Sequence, residues 1–301
     1  MTQYMERVSP VAKATTTLLS SSVFFAAFSA LMHTRQHGIS YVCLSVSMTF
    51  GFLALLKIVN NVSSPFFFSR FVHWVHAMCF EVLAFVAVIV LRLFHGLFRT
   101  NLRPKPSDGK PILLVHGYVN NSSVWTYMIR RLQQGTNHSI YTIDLGRPFH
   151  SIHKHVEKVM QKIAQICQET GHKEVILIGH SMGGLVSSMA AVKIPEQVSH
   201  VFTIGTPLQG TCVARMGIGA NAREMQRKSE FVQDLDARMS HAEKLQFYHI
   251  GTKTDQLVIP SSSALRGLCA DKEYMFADIG HASLLFSPRV ANLLVYWLSQ
   301  V

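Results

Sequence analysis

The five cysteines, Cys43, Cys79, Cys167, Cys212 and Cys269, have neither the close pairs of a metal site nor the spacing of a disulfide framework. That excludes a small domain held together by zinc or by cross-links. Cys212 and Cys269 are a candidate pair, set against free buried thiols, the reading preferred in a reducing compartment. No internal repeat and no low-complexity tract occurs, which excludes repeat arrays. Acidic residues are few: 17 Asp and Glu stand against 28 Lys and Arg, a net charge of +11. Most of that excess lies in residues 1–110, where ten basic residues face three acidic ones. No DNA- or RNA-binding motif accompanies it, so nucleic acid is not the expected partner and anionic lipid headgroups are.

Formal charge is missing altogether from residues 14–32 and 38–56, two runs of 19 residues each. At helical rise each run matches the ~30 Å hydrocarbon core of a bilayer. Both lack the polar face of a buried soluble helix, and both are read as membrane-spanning. Residues 71–97 are a third apolar stretch, interrupted by His73, His76, Glu81, Arg92 and His95, and either span or lie in the interface. His73, His76 and Glu81 share a helix face and resemble ligands, but polar groups at headgroup level explain them better. Arg7 and Lys13 ahead of an apolar run also fit a signal peptide cut near Ala27-Phe28-Ser29. With two spans, nearly all the juxtamembrane Lys and Arg fall on one side against Arg35, which leans the rest of the chain toward the cytoplasm. With three spans, the two sides nearly balance.

Composition then changes. Residues 1–98 form the anchor, residues 99–110 read as a polar Pro- and Gly-containing linker, and residues 111–301 form a domain. Within it, strand-like runs at 112–115, 140–143, 175–178, 200–204, 245–250 and 274–279 alternate early on with helix-like stretches at 122–132, 152–169 and 182–192. Residues 288–298 read as a closing helix. This is an α/β pattern, with a mostly parallel sheet and helices on both faces. Alternation stops across about 211–243, where Phe231, Leu235 and Met239 recur at intervals of four. A small lid over an apolar cleft and an ordinary helix with a core-facing stripe fit that spacing equally.

The most chemically suggestive segment is Gly179-His180-Ser181-Met182-Gly183-Gly184, which directly follows the apolar run at 175–178. Small residues on both flanks let a strand turn sharply into a helix and lift one serine hydroxyl onto an exposed elbow. A serine nucleophile needs a base, an acid behind the base, and donors for the oxyanion. Asp255 and His281 each follow a late strand, so both reach the same sheet edge as Ser181. Asp278, three residues before His281, is the rival acid. The Met182 N–H opens a helix, and the Tyr118 N–H follows His116-Gly117 after the first strand; these two are the candidate oxyanion donors. His116 shapes that loop rather than reacts. His150, His153 and His155 lack an acidic or cysteine partner nearby and read as solvated residues entering a helix.

His116-Gly117, the GHSMGGL segment and the run Gly205-Thr206-Pro207-Leu208-Gln209-Gly210-Thr211 together resemble the α/β-hydrolase superfamily, specifically bacterial triacylglycerol lipases and esterases and the related GPI inositol-deacylase-like lipases. The resemblance covers residues 111–301. It implies Ser181 as nucleophile, Asp255 and His281 as its partners, Tyr118 and Met182 as oxyanion donors, and no metal or organic cofactor. The expected activity is cleavage of carboxylic esters, lipid esters in particular, by a membrane-anchored enzyme. Acyl transfer with the same residues, or a non-catalytic membrane scaffold, are the alternatives.

Overall fold

Short runs rich in Val, Ile and Leu build a six-stranded sheet in the computed structural model, which describes residues 80–94, 107–267 and 272–301. The strands are β1 (Gly109–Val115), β2 (His138–Ile143), β3 (Val175–His180), β4 (Val198–Ile204), β5 (Gln246–Thr252) and β6 (Glu273–Phe276). They lie in the order β2-β1-β3-β4-β5-β6, and every neighbouring pair is parallel. Parallel strands are covered on both faces, and so β3 is buried at all six positions and its sequence shows no polar alternation.

Helices α1 (Thr126–Gly135), α2 (Ile152–Thr170), α3 (Met182–Lys193), α4 (Ala220–Glu224), α5 (Glu230–Ser240) and α6 (Pro288–Leu298) follow from local signals. In α2, Ile152, Val156, Val159, Ile163 and Ile166 are buried at helical spacing, Ser151 caps the first turn, and Gly171 ends the helix in the left-handed conformation. Ser287 caps α6 with Pro288 in its first turn. The α3 helix has no polar face at all, since Met182 to Ala191 are buried throughout.

Leu113, Val115, Leu177, Val201 and Phe247 of the sheet share one apolar cluster with α2, α3 and α5. Phe231, Leu235 and Met239 belong to that cluster, each no more than 5% exposed. Their stripe is therefore core packing on one face of the sheet. The rest of the 211–243 segment is a 3-10 turn at Cys212–Met216 and the short α4. The first strand starts at Gly109, inside the stretch read as linker, because Gly109 already pairs with His138 of β2.

The chain divides into two compact units, Met1–Ile89 and Val90–Val301. Residues 80–89 of the first are helical, as are residues 90–93 of the second. The charge-free runs at 14–32 and 38–56 lie outside the described residues, as do His73, His76, Cys269 and linker residues 99–106. Among the described residues no helix is long and apolar enough to cross a membrane.

Candidate active site

The elbow forms because three glycines admit contacts that no side chain would tolerate. A Cβ on Gly183 would lie 2.2 Å from the Val115 carbonyl oxygen, and one on Gly184 would lie 1.9 Å from Thr206 Oγ1. One on Gly179 would meet the Gly183 carbonyl oxygen and Gly184 Cα, each at 2.5 Å. Helix α3 can then start immediately after β3, hard against β1. Ser181 sits at the junction with φ 55° and ψ −128°, a strained conformation for a residue with a side chain. Its backbone holds it there: the Ser181 N–H donates to Ile204 at 2.9 Å and its carbonyl accepts from Gly184 at 3.0 Å. The residue stays partly exposed.

Asp255 follows β5 in a tight turn. Its Oδ1 accepts from the N–H groups of Leu257 at 2.8 Å and Val258 at 2.7 Å, which leaves Oδ2 to accept from His281 Nδ1 at 2.8 Å. Both side chains are almost completely buried. With a proton on Nδ1 donated to the Asp255 carboxylate, the basic nitrogen of the neutral His281 tautomer is Nε2. Asp278 instead pairs with Arg289 at 2.8 Å on the surface, and so it is not the partner of His281.

The loop that presents His281 is fastened from several directions. Gln256 Oε1 accepts from the His281 N–H at 3.1 Å, Thr254 Oγ1 donates to the Ile279 carbonyl at 2.8 Å, and Thr252 Oγ1 donates to the same carbonyl. His180, next to the elbow serine, donates from Nε2 to the His281 carbonyl at 3.2 Å, with the two rings 4.8 Å apart. Nothing in the sequence pattern singles out Gln256 or His180, and for Thr252 and Thr254 the one signal is a pair of hydroxyls just ahead of Asp255. Burial holds the His180 imidazole far below the usual histidine range, so it is neutral and its one ring proton points at that carbonyl.

His116 organises the other wall. Its Nε2 accepts from the Leu145 N–H at 3.0 Å and its Nδ1 donates to the Gly117 carbonyl at 2.9 Å, a pattern only the neutral ring can make. Burial, partly opposed by that carbonyl bond, lowers its pKa to about 4. This is the loop-shaping role expected for it. Gly117 lets the loop lie on the elbow, since a Cβ there would be 2.9 Å from Ser181 Cβ. Among the described residues, neither the Tyr118 N–H nor the Met182 N–H meets an acceptor. The second of these opens α3, where the helix dipole favours negative charge.

The segment before α5 is tied down beside this wall. The Tyr118 hydroxyl donates to the Ile218 carbonyl at 2.7 Å and accepts from the Ile218 N–H at 3.0 Å. Asn221 Nδ2 donates to the Pro148 carbonyl at 2.7 Å and contacts Met182 Sδ at 3.4 Å. Phe149, Met216 and Ile218 are left exposed here. Cys212 is a free, exposed thiol.

The three histidines at 150–155 do not behave as one solvated group. His155 is buried, with its pKa lowered by that burial, and His153 packs edge-on against Phe231 with ring centroids 5.2 Å apart. The correction follows from helix phase, which turns His155 inward beside Val156. Among the described residues no cluster of His, Cys, Asp or Glu is arranged to hold a metal ion.

A parallel sheet, a strand–serine–helix elbow, and an Asp–His pair delivered by later loops make up an α/β-hydrolase fold. Residues 110–227 match the family model described as alpha/beta hydrolase fold. The chain is similar to ethanol acetyltransferase 1 of Cyberlindnera jadinii, 29% identical over 107 residues, which are 35% of this chain and 31% of that protein. It is also similar to the pimeloyl-[acyl-carrier protein] methyl ester esterase of Vibrio vulnificus, 31% identical over 108 residues, 36% of this chain and 41% of that protein. It thus spans well under two thirds of the length of these relatives. Among solved structures, lipase BlEst2 of Bacillus licheniformis in its mature form superimposes with a TM-score of 0.56 at 18% identity, covering 65% of this chain and 94% of that one. Lipase B of Aspergillus fumigatus gives 0.57 at 17%, covering 66% and 55%. Identities this low speak for the fold.

Proposed function

We propose that the chain is a membrane-attached serine hydrolase of the lipase and esterase type, cleaving carboxylic esters through an acyl-enzyme on Ser181. The observation that carries this reading is the 2.8 Å contact between His281 Nδ1 and buried Asp255, on the same sheet edge as the strained elbow serine. In the proposed reaction His281 Nε2 takes the Ser181 proton as Oγ attacks the acyl carbon. The N–H groups of Tyr118 and Met182 receive the oxyanion, and His281 then returns the proton to the departing alcohol. Water, deprotonated by His281, releases the acid and restores Ser181.

Lipid esters are the favoured substrates, because the charge-free runs and the basic residues beside them suit a bilayer with anionic headgroups. The helical stretch at 80–93 and the residue after it fit that setting, with Phe80, Leu83, Val86, Leu93 and Phe94 each half exposed or more. By the placement of Lys and Arg, the hydrolase domain faces the cytoplasm. Protein carrying Ser181→Ala, assayed beside the parent on short and long acyl esters, tests the chemistry: full hydrolysis by the variant would sink it. Release from membranes by alkaline carbonate would overturn the anchor.

The relative that is an acetyltransferase favours one second reading, acyl transfer to an alcohol in place of water. Product analysis with a competing alcohol separates the two. Absence of fluorophosphonate labelling at Ser181 would leave a non-catalytic scaffold.

A further inference from the structure

Val119 is a β-branched residue held at φ 52°, a conformation such side chains rarely adopt. It directly follows Tyr118, whose N–H is the proposed oxyanion donor. Something must hold it there, and the contacts come from 27 residues upstream. The Arg92 guanidinium donates to the Val119 carbonyl, and the Arg92 carbonyl accepts from Asn121 Nδ2 at 3.4 Å. One residue earlier, the Leu91 carbonyl accepts from Ser123 Oγ at 2.8 Å. Residues 119, 121 and 123 are thus all fastened to two consecutive positions in the helical turn at 90–93. The far side of the loop is held separately, by Asp144 Oδ1 accepting from the Ser122 N–H at 2.6 Å and by the Tyr118 hydroxyl on Ile218.

The geometry points to Arg92 as a positioning residue for the oxyanion loop, which makes the catalytic wall depend on the helical turn that precedes the hydrolase domain. Arginine suits this role because it is always charged, and a charged donor on a carbonyl outlasts a neutral one. Arg92 touches neither the serine nor its histidine and acts through the backbone of Val119. The inference rests on the proposed hydrolase reading for its catalytic consequence, and on the loop contacts alone for its structural one.

Two measurements on the full-length protein test it. Hydrogen exchange over residues 118–123 reads the clamp without any substrate: Arg92→Ala accelerates exchange there, and unchanged protection overturns the clamp. Steady-state hydrolysis reads the consequence. Arg92→Ala is expected to lower kcat by about tenfold with KM nearly unchanged, a smaller loss than removing an oxyanion donor outright. Arg92→Lys, which keeps a charged donor, restores part of it. Because glycine adopts φ 52° freely, Val119→Gly in the Arg92→Ala background should recover kcat; a double variant as slow as Arg92→Ala alone overturns the role assigned to Val119 strain. If Arg92→Ala does not fold, Ser123→Ala, which removes the Leu91 bond, is measured in its place, again by exchange over 118–123. Loss of all hydrolysis in the parent protein would remove the hydrolase reading and leave the exchange result to decide the clamp.

Discussion

His281 Nδ1 lies 2.8 Å from Asp255, 26 residues earlier in the chain, although Asp278 is only three residues away. Chain proximity loses to topology. Asp278 lies two residues past β6 and pairs with Arg289, whereas the turn after β5 leaves one Asp255 oxygen to reach the ring. Asp255→Asn should therefore cut kcat by about 10³- to 10⁴-fold through loss of the correct tautomer, as triad logic requires. Asp278→Asn should stay within about twofold, its exposed ion pair being worth little. Parallel kinetics on the two variants decide the matter; equal losses would reject Asp255 as the acid.

The elbow glycines differ in what blocks a methyl group. At Gly184 the obstacle is a side chain, Thr206, whereas at Gly183 it is the backbone of Val115 and His116. Ala at either position should destabilise the fold by about 1–3 kcal/mol and reduce hydrolysis. Thr206→Ala should recover part of the loss for Gly184→Ala and none for Gly183→Ala. Urea unfolding of the single and double variants measures this, and equal rescue at both sites would contradict the packing described.

Buried neutral histidines make stability fall in acid. His116, with its pKa lowered to about 4, binds fewer protons when folded than the unfolded chain does near 6.5. Its contribution is complete above pH ~6.5 and declines as pH drops toward 4, by up to about 1.4 kcal/mol per unit. His249, lowered to about 3 by burial and bonded through Nδ1 to Thr203 at 2.8 Å, acts with the same sign. A His116→Gln variant should start less stable yet lose about 2 kcal/mol less than the parent between pH 7 and 5. Denaturant midpoints across that range provide the check; parallel curves would show that His116 already titrates normally.

Most of the sheet was readable because parallel strands buried on both faces appear as unbroken apolar runs, and β3 has no polar residue before His180. Helices α2 and α6 carried their caps in the sequence at Ser151 and Ser287. The candidate site was legible where chemistry restricts residue type: the elbow motif marks Ser181, and Asp255 and His281, each read as following a late strand, are paired in the structure. What escaped was the support around them. Gln256, Thr252, His180 and Arg92 act through single bonds to distant backbone carbonyls or N–H groups, and such bonds leave no period in the chain. The stripe of Phe231, Leu235 and Met239 was ambiguous for a related reason: a helix facing a cleft and one facing a sheet have the same spacing.

Glu224 ties the segment before α5 to the start of α2. Its two oxygens accept from Ser151 Oγ at 2.6 Å and from the Ile152 N–H at 2.5 Å, placing a carboxylate where the helix dipole and an unsatisfied N–H both favour one. Glu224→Ala removes both acceptors and should cost about 1–2 kcal/mol. Glu224→Gln keeps an acceptor and should cost less than half of that. The local effect should exceed the global one, because the segment 217–229 also carries Arg223, Arg227 and Lys228, which are trypsin sites. Limited trypsin digestion under native conditions should therefore cut Glu224→Ala in that segment several-fold faster than the parent, with Glu224→Gln between them. Identical cleavage rates in all three would mean that Tyr118 and Asn221 hold the segment unaided.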